Sequence, residues 1–162
     1  GKKISLSDYK GKTVVLEWKN HLCPFVKKHY SQNHMQHLQK TLTDDGVIWL
    51  SIISSAVGKQ GHLNMQECET QIQQEKSHAT AIILDVSGDI GKLYKAKTTP
   101  HMFVINPEGI LIYKGAIDSI RSANPDDINR AENYVSLAVN SIKNNTSMEP
   151  AATASYGCSI KY

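Results

Sequence analysis

The sequence has few cysteines, few arginines and no long hydrophobic run. Three cysteines among 162 residues are too few for a disulfide scaffold, and the odd number leaves at least one unpaired. Only two of the 18 basic residues are arginines, and no lysine stretch alternates with aromatics, which argues against nucleic-acid binding. The seven histidines are scattered without a ligand pattern, so no metal site is expected. Without about 18 consecutive apolar residues, no membrane span is expected.

Length and composition are those of one globular domain. A chain of 162 residues can bury a full core, and its 40% hydrophobic and 20% charged residues are typical globular values. We find neither an internal repeat nor a second domain. Residues 1–162 are therefore predicted to form a single domain, in which 144–162 is a polar, turn-rich C-terminal tail. The chain starts without methionine, which suggests that a targeting segment or an added sequence preceded it.

Apolar runs separated by turn residues predict alternating strands and helices. Strands are expected at 12–18, 47–53 and 79–85, followed by a β-hairpin at 101–117 around the turn Asn-Pro-Glu-Gly. Helices are expected from Pro24 to about Leu42, after the N-cap Asn64 with Glu67 three residues later, at 88–96 and at 125–142. This order predicts an α/β fold with a parallel core, right-handed crossovers and antiparallel strands at one side.

Cys23 follows the first predicted strand and precedes the first predicted helix, within the stretch "EWKNHLCPFVKKHY". Open parallel sheets bind ligands at the edge where the strands end and the helices begin. Helix N-terminal N–H groups favour a thiolate, and Pro24 suits the first helical turn. Because a thiolate is nucleophilic toward disulfides and peroxides, the position indicates a reactive thiol. A buried, inert cysteine is the alternative.

Residues near Cys23 can contribute to its chemistry. Asn20 can donate a hydrogen bond to the thiolate, and His21 can lower the cysteine pKa or move protons. Glu17 can accept a proton from a resolving thiol, at a high cost unless it is hydrogen-bonded. Trp18 and His101 are expected near the same edge. Purely structural roles remain open: Trp18 can end its strand against the core, and His21 can be an exposed turn residue.

Thr99 and Pro100 come directly before the hairpin. A cis bond between them would turn the Thr99 backbone toward whatever lies opposite, and would present edge groups for strand-like pairing with a substrate. Because only about one X-Pro bond in twenty is cis, the position alone does not predict one.

Taken together, these features resemble the thioredoxin superfamily in its redoxin/AhpC-TSA branch. They are the Cys-Pro at a strand-to-helix turn, the Thr-Thr-Pro before a strand and the Asn-Pro-Glu-Gly hairpin. The stretch "NHLCPFVKKHY" and the terminal "YGCSIKY" resemble a bacterial peroxiredoxin-like group that carries NHxCPFVK and a closing GCSIK, and the similarity runs from Ser5 to Tyr162. The resemblance implies a thioredoxin-like fold, a central mixed sheet flanked by helices, with Cys23 as the reactive thiol and Pro100 as a cis-proline.

The sequence departs from the typical peroxiredoxin signature Pro-x-x-x-Thr-x-x-Cys. Asn20 occupies the threonine position and Leu16 the proline position. Val26 replaces the second cysteine of a thioredoxin-type Cys-x-x-Cys, so no local disulfide can form. Cys158 in the tail is the candidate resolving or structural partner, with a cysteine that merely packs as the alternative. Cys68, inside a predicted amphipathic helix, is expected to be a bystander.

The resemblance implies a thiol-dependent redox protein without metal or organic cofactor. Cys23 would attack a protein disulfide or a peroxide, and Cys158 or an external thiol reductant would resolve the product. Peroxide reduction and disulfide exchange both remain open, as does a non-catalytic binding module or thiol sensor. Members of the group often carry a secretion signal, so an extracytoplasmic, periplasmic location is expected, with the cytoplasm as the alternative. The residues expected to bind substrate are Trp18, Pro24, Thr99, Pro100 and His101.

Overall fold

The computed structural model describes residues 2–162 and contains a five-stranded mixed β-sheet with a separate two-stranded sheet. In chain order the strands are β1 (Val14–Trp18), β2 (Ile48–Ile53), β3 (Ala81–Leu84), β4 (Thr98–Thr99), β5 (His101–Ile105), β6 (Leu111–Gly115) and β7 (Cys158–Ser159). The main sheet has the order β3–β2–β1–β5–β6, and β4 pairs with β7. Strands β1, β2 and β3 are parallel, whereas β5 is antiparallel to both β1 and β6. The predicted parallel core and antiparallel hairpin are confirmed.

Within residues 2–162, five α-helices connect the strands. They are α1 (Pro24–Tyr30), α2 (His34–Asp44), α3 (Met65–Glu75), α4 (Asp89–Tyr94) and α5 (Tyr134–Lys143), with 3-10 helices at Leu6–Tyr9 and Pro125–Arg130. The capping box predicted for α3 is present, because the side chains of Asn64 and Glu67 each accept a hydrogen bond from the other residue's backbone N–H. No helix within residues 2–162 combines the length and apolar character needed to cross a membrane.

The helix predicted from Pro24 to about Leu42 is wrong as a single element. The structure has two helices there, α1 and α2, and Asn33 between them is left-handed with φ 62°. A left-handed residue cannot continue a right-handed helix. Apolar residues recur on both sides of the break, so the hydrophobic pattern alone did not reveal it.

The helix predicted at 125–142 starts later than expected. Residues Pro125–Arg130 form a 3-10 helix, and α5 begins at Tyr134. The side chain of Asn133 accepts a hydrogen bond from Ser136 N at 2.9 Å and so caps the true N-terminus. Pro125 does open a helical turn, as predicted, but that turn belongs to a different element.

The tail packs along the domain. Its residues 151–153 exchange backbone hydrogen bonds with Lys114 on β6. Further on, β7 pairs antiparallel with β4, so that Cys158 lies opposite Thr99 and Ser159 opposite Thr98. A two-residue strand in a polar segment carries too little periodicity to be predicted from sequence, yet this pairing determines where the tail cysteine lies.

The main sheet packs against a different cluster on each face. We call the first the cysteine face: Cys23 and residues of α1, α2 and α5 pack there on Val15, Met102 and Val104. The second is the aromatic face, where Trp18 and Phe103 pack against Tyr94 of α4. Alternate residues of β1 and β5 point to opposite faces, so each strand contributes to both clusters.

Candidate active site

Cys23 is fully buried and forms the N-cap of α1. Its carbonyl oxygen accepts hydrogen bonds from Val26 N at 3.0 Å and Lys27 N at 2.9 Å, and its own N–H donates to Asn20 O at 3.0 Å. Its Sγ lies 3.1 Å from the carbonyl oxygen of Thr99. The predicted strand-to-helix turn therefore directs the thiol toward the residue that precedes Pro100.

Cys158 meets Cys23 at this point, with 2.8 Å between the two Sγ atoms. All three cysteines are free thiols, and Cys158 is partly exposed, unlike Cys23. Gly157 permits the approach: its φ is +125°, and a Cβ there would overlap the Thr99 carbonyl oxygen. The structure thus brings together two cysteines that are 135 residues apart in the sequence.

The two thiols have opposite pKa shifts. Burial opposes ionisation of Cys23, but the neighbouring Cys158 side chain and the backbone N–H groups of Cys158 and Val26 lower its pKa below the usual value. Burial, together with the hydrogen bond and negative charge of Cys23, raises the pKa of Cys158 to about 11. Cys23 therefore ionises first, and Cys158 keeps its proton and donates it to the Cys23 thiolate.

Asn20 holds the turn before Cys23 against the loop at 54–62. Its Oδ1 accepts from Leu22 N at 2.9 Å, and its Nδ2 donates to Gln60 O at 3.1 Å. Gly61 packs so closely on this amide that any Cβ would overlap it. The Asn20 side chain thus bonds to backbone groups around the turn rather than to the Cys23 sulfur.

His21 lies half-buried between the turn and the end of α3. Burial lowers its pKa, and Glu75 partly offsets that effect. Its Nδ1 is buried without a hydrogen-bond partner in the described part of the chain. The charged neighbours that influence its pKa are Glu75 and Glu67 of α3, Lys27 of α1, and Lys19 just after β1.

Glu17 is fully buried on the cysteine face, and its carboxyl group accepts hydrogen bonds from four side chains. The distances from its carboxylate oxygens are between 2.7 and 3.3 Å. Such saturation meets the condition under which a carboxylate tolerates burial. The donors are Tyr30 Oη, Gln39 Nε2, Trp49 Nε1 and Ser51 Oγ.

Trp18 and His101 point to the aromatic face, away from Cys23. Trp18 is fully buried and its Nε1 donates to Ser54 Oγ at 3.0 Å. His101 accepts a hydrogen bond from Lys97 N on Nδ1 at 3.2 Å, and burial lowers its pKa to about 4. These two side chains are near the predicted edge in sequence but face the other side of the sheet.

The two predicted prolines flank the cysteine pair. Pro24 is exposed at the first position of α1. The peptide bond between Thr99 and Pro100 is cis, as the resemblance implies. The strand edge at Thr98 and Thr99, which was expected to pair with a substrate, is paired with the chain's own β7.

A buried charged cluster, not predicted from the sequence, joins α1 to the tail. Lys28 Nζ donates to Asp118 Oδ2 at 3.0 Å, and Tyr156 Oη donates to Asp118 Oδ1. One sequence feature could have indicated a role for Tyr156, because this residue belongs to the closing motif "YGCSIKY". Within residues 2–162, no group of three or more His, Cys, Asp or Glu side chains is arranged to hold a metal ion.

The mixed sheet, the cysteine at the start of α1 and the cis-proline before β5 define a thioredoxin-like fold. The chain belongs to the AhpC/TSA family, whose family model matches residues 1–114. The matched part contains Cys23 and Pro100 but ends before Cys158. A comparison with curated proteins gave no match.

Two solved structures resemble almost the whole chain. An uncharacterised conserved protein from Geobacillus kaustophilus has a TM-score of 0.82 at 20% identity, over 98% of this chain and 82% of that one. A hypothetical protein from Sinorhizobium meliloti has a TM-score of 0.82 at 18% identity, over 100% and 86%. The thioredoxin domain of a thiol-disulfide oxidoreductase from Bacteroides vulgatus has a TM-score of 0.56 at 19% identity, over 80% and 86%. At these identities the likeness shows the fold.

Proposed function

We propose that this protein is a thiol-disulfide oxidoreductase in which Cys23 is the nucleophile and Cys158 the resolving thiol. The observation that carries the proposal is the pair itself: two sulfur atoms 2.8 Å apart, with the pKa of Cys23 lowered and that of Cys158 raised. AhpC/TSA membership supports it. So do structural neighbours described as a thiol-disulfide oxidoreductase and a thiol:disulfide interchange protein.

In the proposed cycle the Cys23 thiolate attacks one sulfur of a substrate disulfide. A Cys23–substrate disulfide forms, and the other substrate sulfur leaves as a thiolate and takes up a proton. Cys158 then loses its proton and attacks the Cys23 sulfur, which forms the Cys23–Cys158 disulfide and releases the second substrate thiol. Two equivalents of an external thiol, or one dithiol, reduce this disulfide and are themselves oxidised. A periplasmic location and protein thiol or disulfide partners remain predictions.

Peroxide reduction is the second candidate, favoured by the burial of Cys23. Since β7 covers the edge at Thr99, a protein disulfide reaches the Cys23 sulfur only when the tail moves, whereas a peroxide is small. Attack by the Cys23 thiolate would cleave the O–O bond and give a sulfenic acid and an alcohol or water. Cys158 would then condense with the sulfenic acid, releasing water and forming the same disulfide. The paired edge also argues against a binding module that holds a chain there.

The test separates these functions. Reduced protein is treated with one equivalent of hydrogen peroxide or of oxidised glutathione and mapped without reduction. We expect a Cys23–Cys158 crosslink, lost in Cys23→Ser and retained in the control Cys68→Ser. Insulin-disulfide reduction that depends on Cys23 supports the exchange activity, whereas peroxide consumption without insulin reduction supports the peroxidase. If neither oxidant produces the crosslink, the proposal is wrong.

A further inference from the structure

Three polar side chains from distant parts of the sequence meet beneath the tail. Lys28 comes from α1, Asp118 follows β6, and Tyr156 lies two residues before Cys158. Their exposed fractions are 1%, 3% and 4%, so the lysine and aspartate form a buried ion pair. We call this group the tail clamp.

Hydrogen bonds saturate the charges of the tail clamp. The Lys28 ammonium has three acceptors: Asp118 Oδ2 at 3.0 Å, Ile120 O at 3.1 Å and Tyr156 Oη at 3.5 Å. The other carboxylate oxygen of Asp118 accepts from Tyr156 Oη and from Ile120 N. His29 Nε2 lies 3.7 Å from Asp118 Oδ2, but burial lowers its pKa to about 4, which leaves it uncharged at neutral pH.

Stability alone does not account for such a cluster. Removing two charges from water costs about as much as their attraction returns, and apolar replacements of buried ion pairs are often neutral or stabilising. A saturated polar cluster does impose geometry, because each partner has few positions in which its hydrogen bonds survive. The tail clamp is therefore better suited to fixing positions than to adding free energy.

The positions that it fixes are those of the two reactive cysteines. Lys28 belongs to the helix whose N-cap is Cys23. Tyr156 is joined to Cys158 through Gly157, which is pressed against the Thr99 carbonyl. The Tyr156 ring also packs edge-on against Phe25 at 5.8 Å between centroids. Both sides of the sulfur pair are thus connected to one polar cluster.

We propose that Lys28, Asp118 and Tyr156 hold Cys158 against Cys23 and thereby set the equilibrium between dithiol and disulfide. This inference rests on the proposed function. These residues do not touch the sulfur atoms and are positioning residues: they raise the effective concentration of the Cys158 thiol at Cys23. The equilibrium concerned is the reaction of the disulfide with two glutathione molecules to give the dithiol and oxidised glutathione.

The test equilibrates wild type and Tyr156→Phe in glutathione buffers, followed by an acid quench, alkylation and mass analysis. Tyr156→Phe removes one hydroxyl and keeps the ring on Phe25. We expect the constant for forming the Cys23–Cys158 disulfide to fall about tenfold, a potential change of about 30 mV. The Cys23 pKa, measured by alkylation rate against pH, should rise because its hydrogen bond from Cys158 is populated less. The matched control Tyr94→Phe, on the aromatic face, should change neither.

A second variant keeps the test independent of the Tyr156 hydroxyl. The double substitution Lys28→Met with Asp118→Leu replaces the ion pair by apolar side chains and should leave the protein folded. We expect a similar fall in the disulfide constant. If the wild type forms the disulfide and both variants fold and form it with the same equilibrium constant, the tail clamp proposal alone is wrong. A wild type that forms no such disulfide would overturn the proposed function and the clamp with it.

Discussion

Glu17 and Trp18 are neighbours on β1, and both are fully buried, yet they enter two different kinds of core. Trp18 packs on the aromatic face, with its ring centroid 5.4 Å from Tyr94 and 5.1 Å from Phe103. Glu17 enters the cysteine face as a carboxylate with four hydrogen-bond donors around it. The core of the aromatic face is mainly aromatic and aliphatic, whereas the cysteine face encloses a fully buried carboxyl group with its donors.

The two faces therefore contribute differently: the aromatic face contributes mainly to stability, and the cysteine face also positions the thiols. Apolar burial on the aromatic face contributes at about 25 cal/mol per Å². Buried polar clusters such as those around Glu17 and Asp118 add little net free energy relative to a fully apolar replacement, but they fix geometry, and removing one member alone is costly. Substitutions on the aromatic face should therefore change stability first, and those on the cysteine face should change both stability and thiol chemistry.

The largest loss of stability is expected for Trp18→Ala. Removing this ring opens a cavity between Tyr94 and Phe103 and should cost about 4 kcal/mol of unfolding free energy, measured by urea denaturation. The alkylation pKa of Cys23 should stay as in the wild type, since Trp18 lies on the other face. Trp18→Phe should recover a large part of the loss. An altered Cys23 pKa in a folded Trp18→Ala protein would show that the two faces are not independent.

Glu17→Leu should cost about 3 kcal/mol, because buried donors that lose their acceptor retain their desolvation penalty. An apolar core would instead be stabilised by this change. Glu17→Gln keeps one acceptor oxygen and should cost less. Urea denaturation of both variants measures the difference, and a Glu17→Leu protein as stable as the wild type would contradict the polar description of this face.

Gly157→Ala should lower the free energy of unfolding by about 2 kcal/mol. An alanine is strained at this positive φ, and its Cβ would also overlap the Thr99 carbonyl oxygen. The substitution should also displace the tail and so lower the effective concentration of the Cys158 thiol at Cys23. We expect the Cys23–Cys158 disulfide to form at least about tenfold more slowly. Stopped-flow oxidation followed by acid quench measures that rate. Gly109→Ala is the matched control: its φ is +83° with open space around the Cβ. Similar oxidation rates in the two variants would contradict a positional role for Gly157.

The smallest effect is a pH dependence on the aromatic face. Burial lowers the pKa of His101 to about 4, whereas an unfolded histidine titrates near 6.5. As pH falls from about 6.5 toward 4, the unfolded chain binds a proton that the folded one excludes, so stability decreases by up to about 1.4 kcal/mol per pH unit for this group. His101→Asn should remove up to about 1.8 kcal/mol of the decrease between pH 7 and pH 5. Urea midpoints at the two pH values check this, and parallel losses in variant and wild type would contradict it.

The sequence was informative where the signal is local. Apolar runs predicted the strands, and the residues around Cys23 predicted its place at a strand-to-helix turn. The left-handed Asn33 escaped prediction because the hydrophobic pattern continues across it. The tail clamp could not be predicted for another reason. A lysine in a helix is normally exposed, and Lys28 is buried because it contacts Asp118 and Tyr156, which are distant in the sequence. The residue-level roles of the predicted site remain predictions that the experiments above address.

The sequence separation of 135 between Cys23 and Cys158 also determines when the two thiols can meet during synthesis. Closing so long a loop is entropically unfavourable in an unfolded chain. The contact forms only when the sheet, α1 and the pairing of β7 with β4 are all in place. In a nascent or partly unfolded chain these two thiols are apart, so the proposed Cys23–Cys158 disulfide would report that folding is complete.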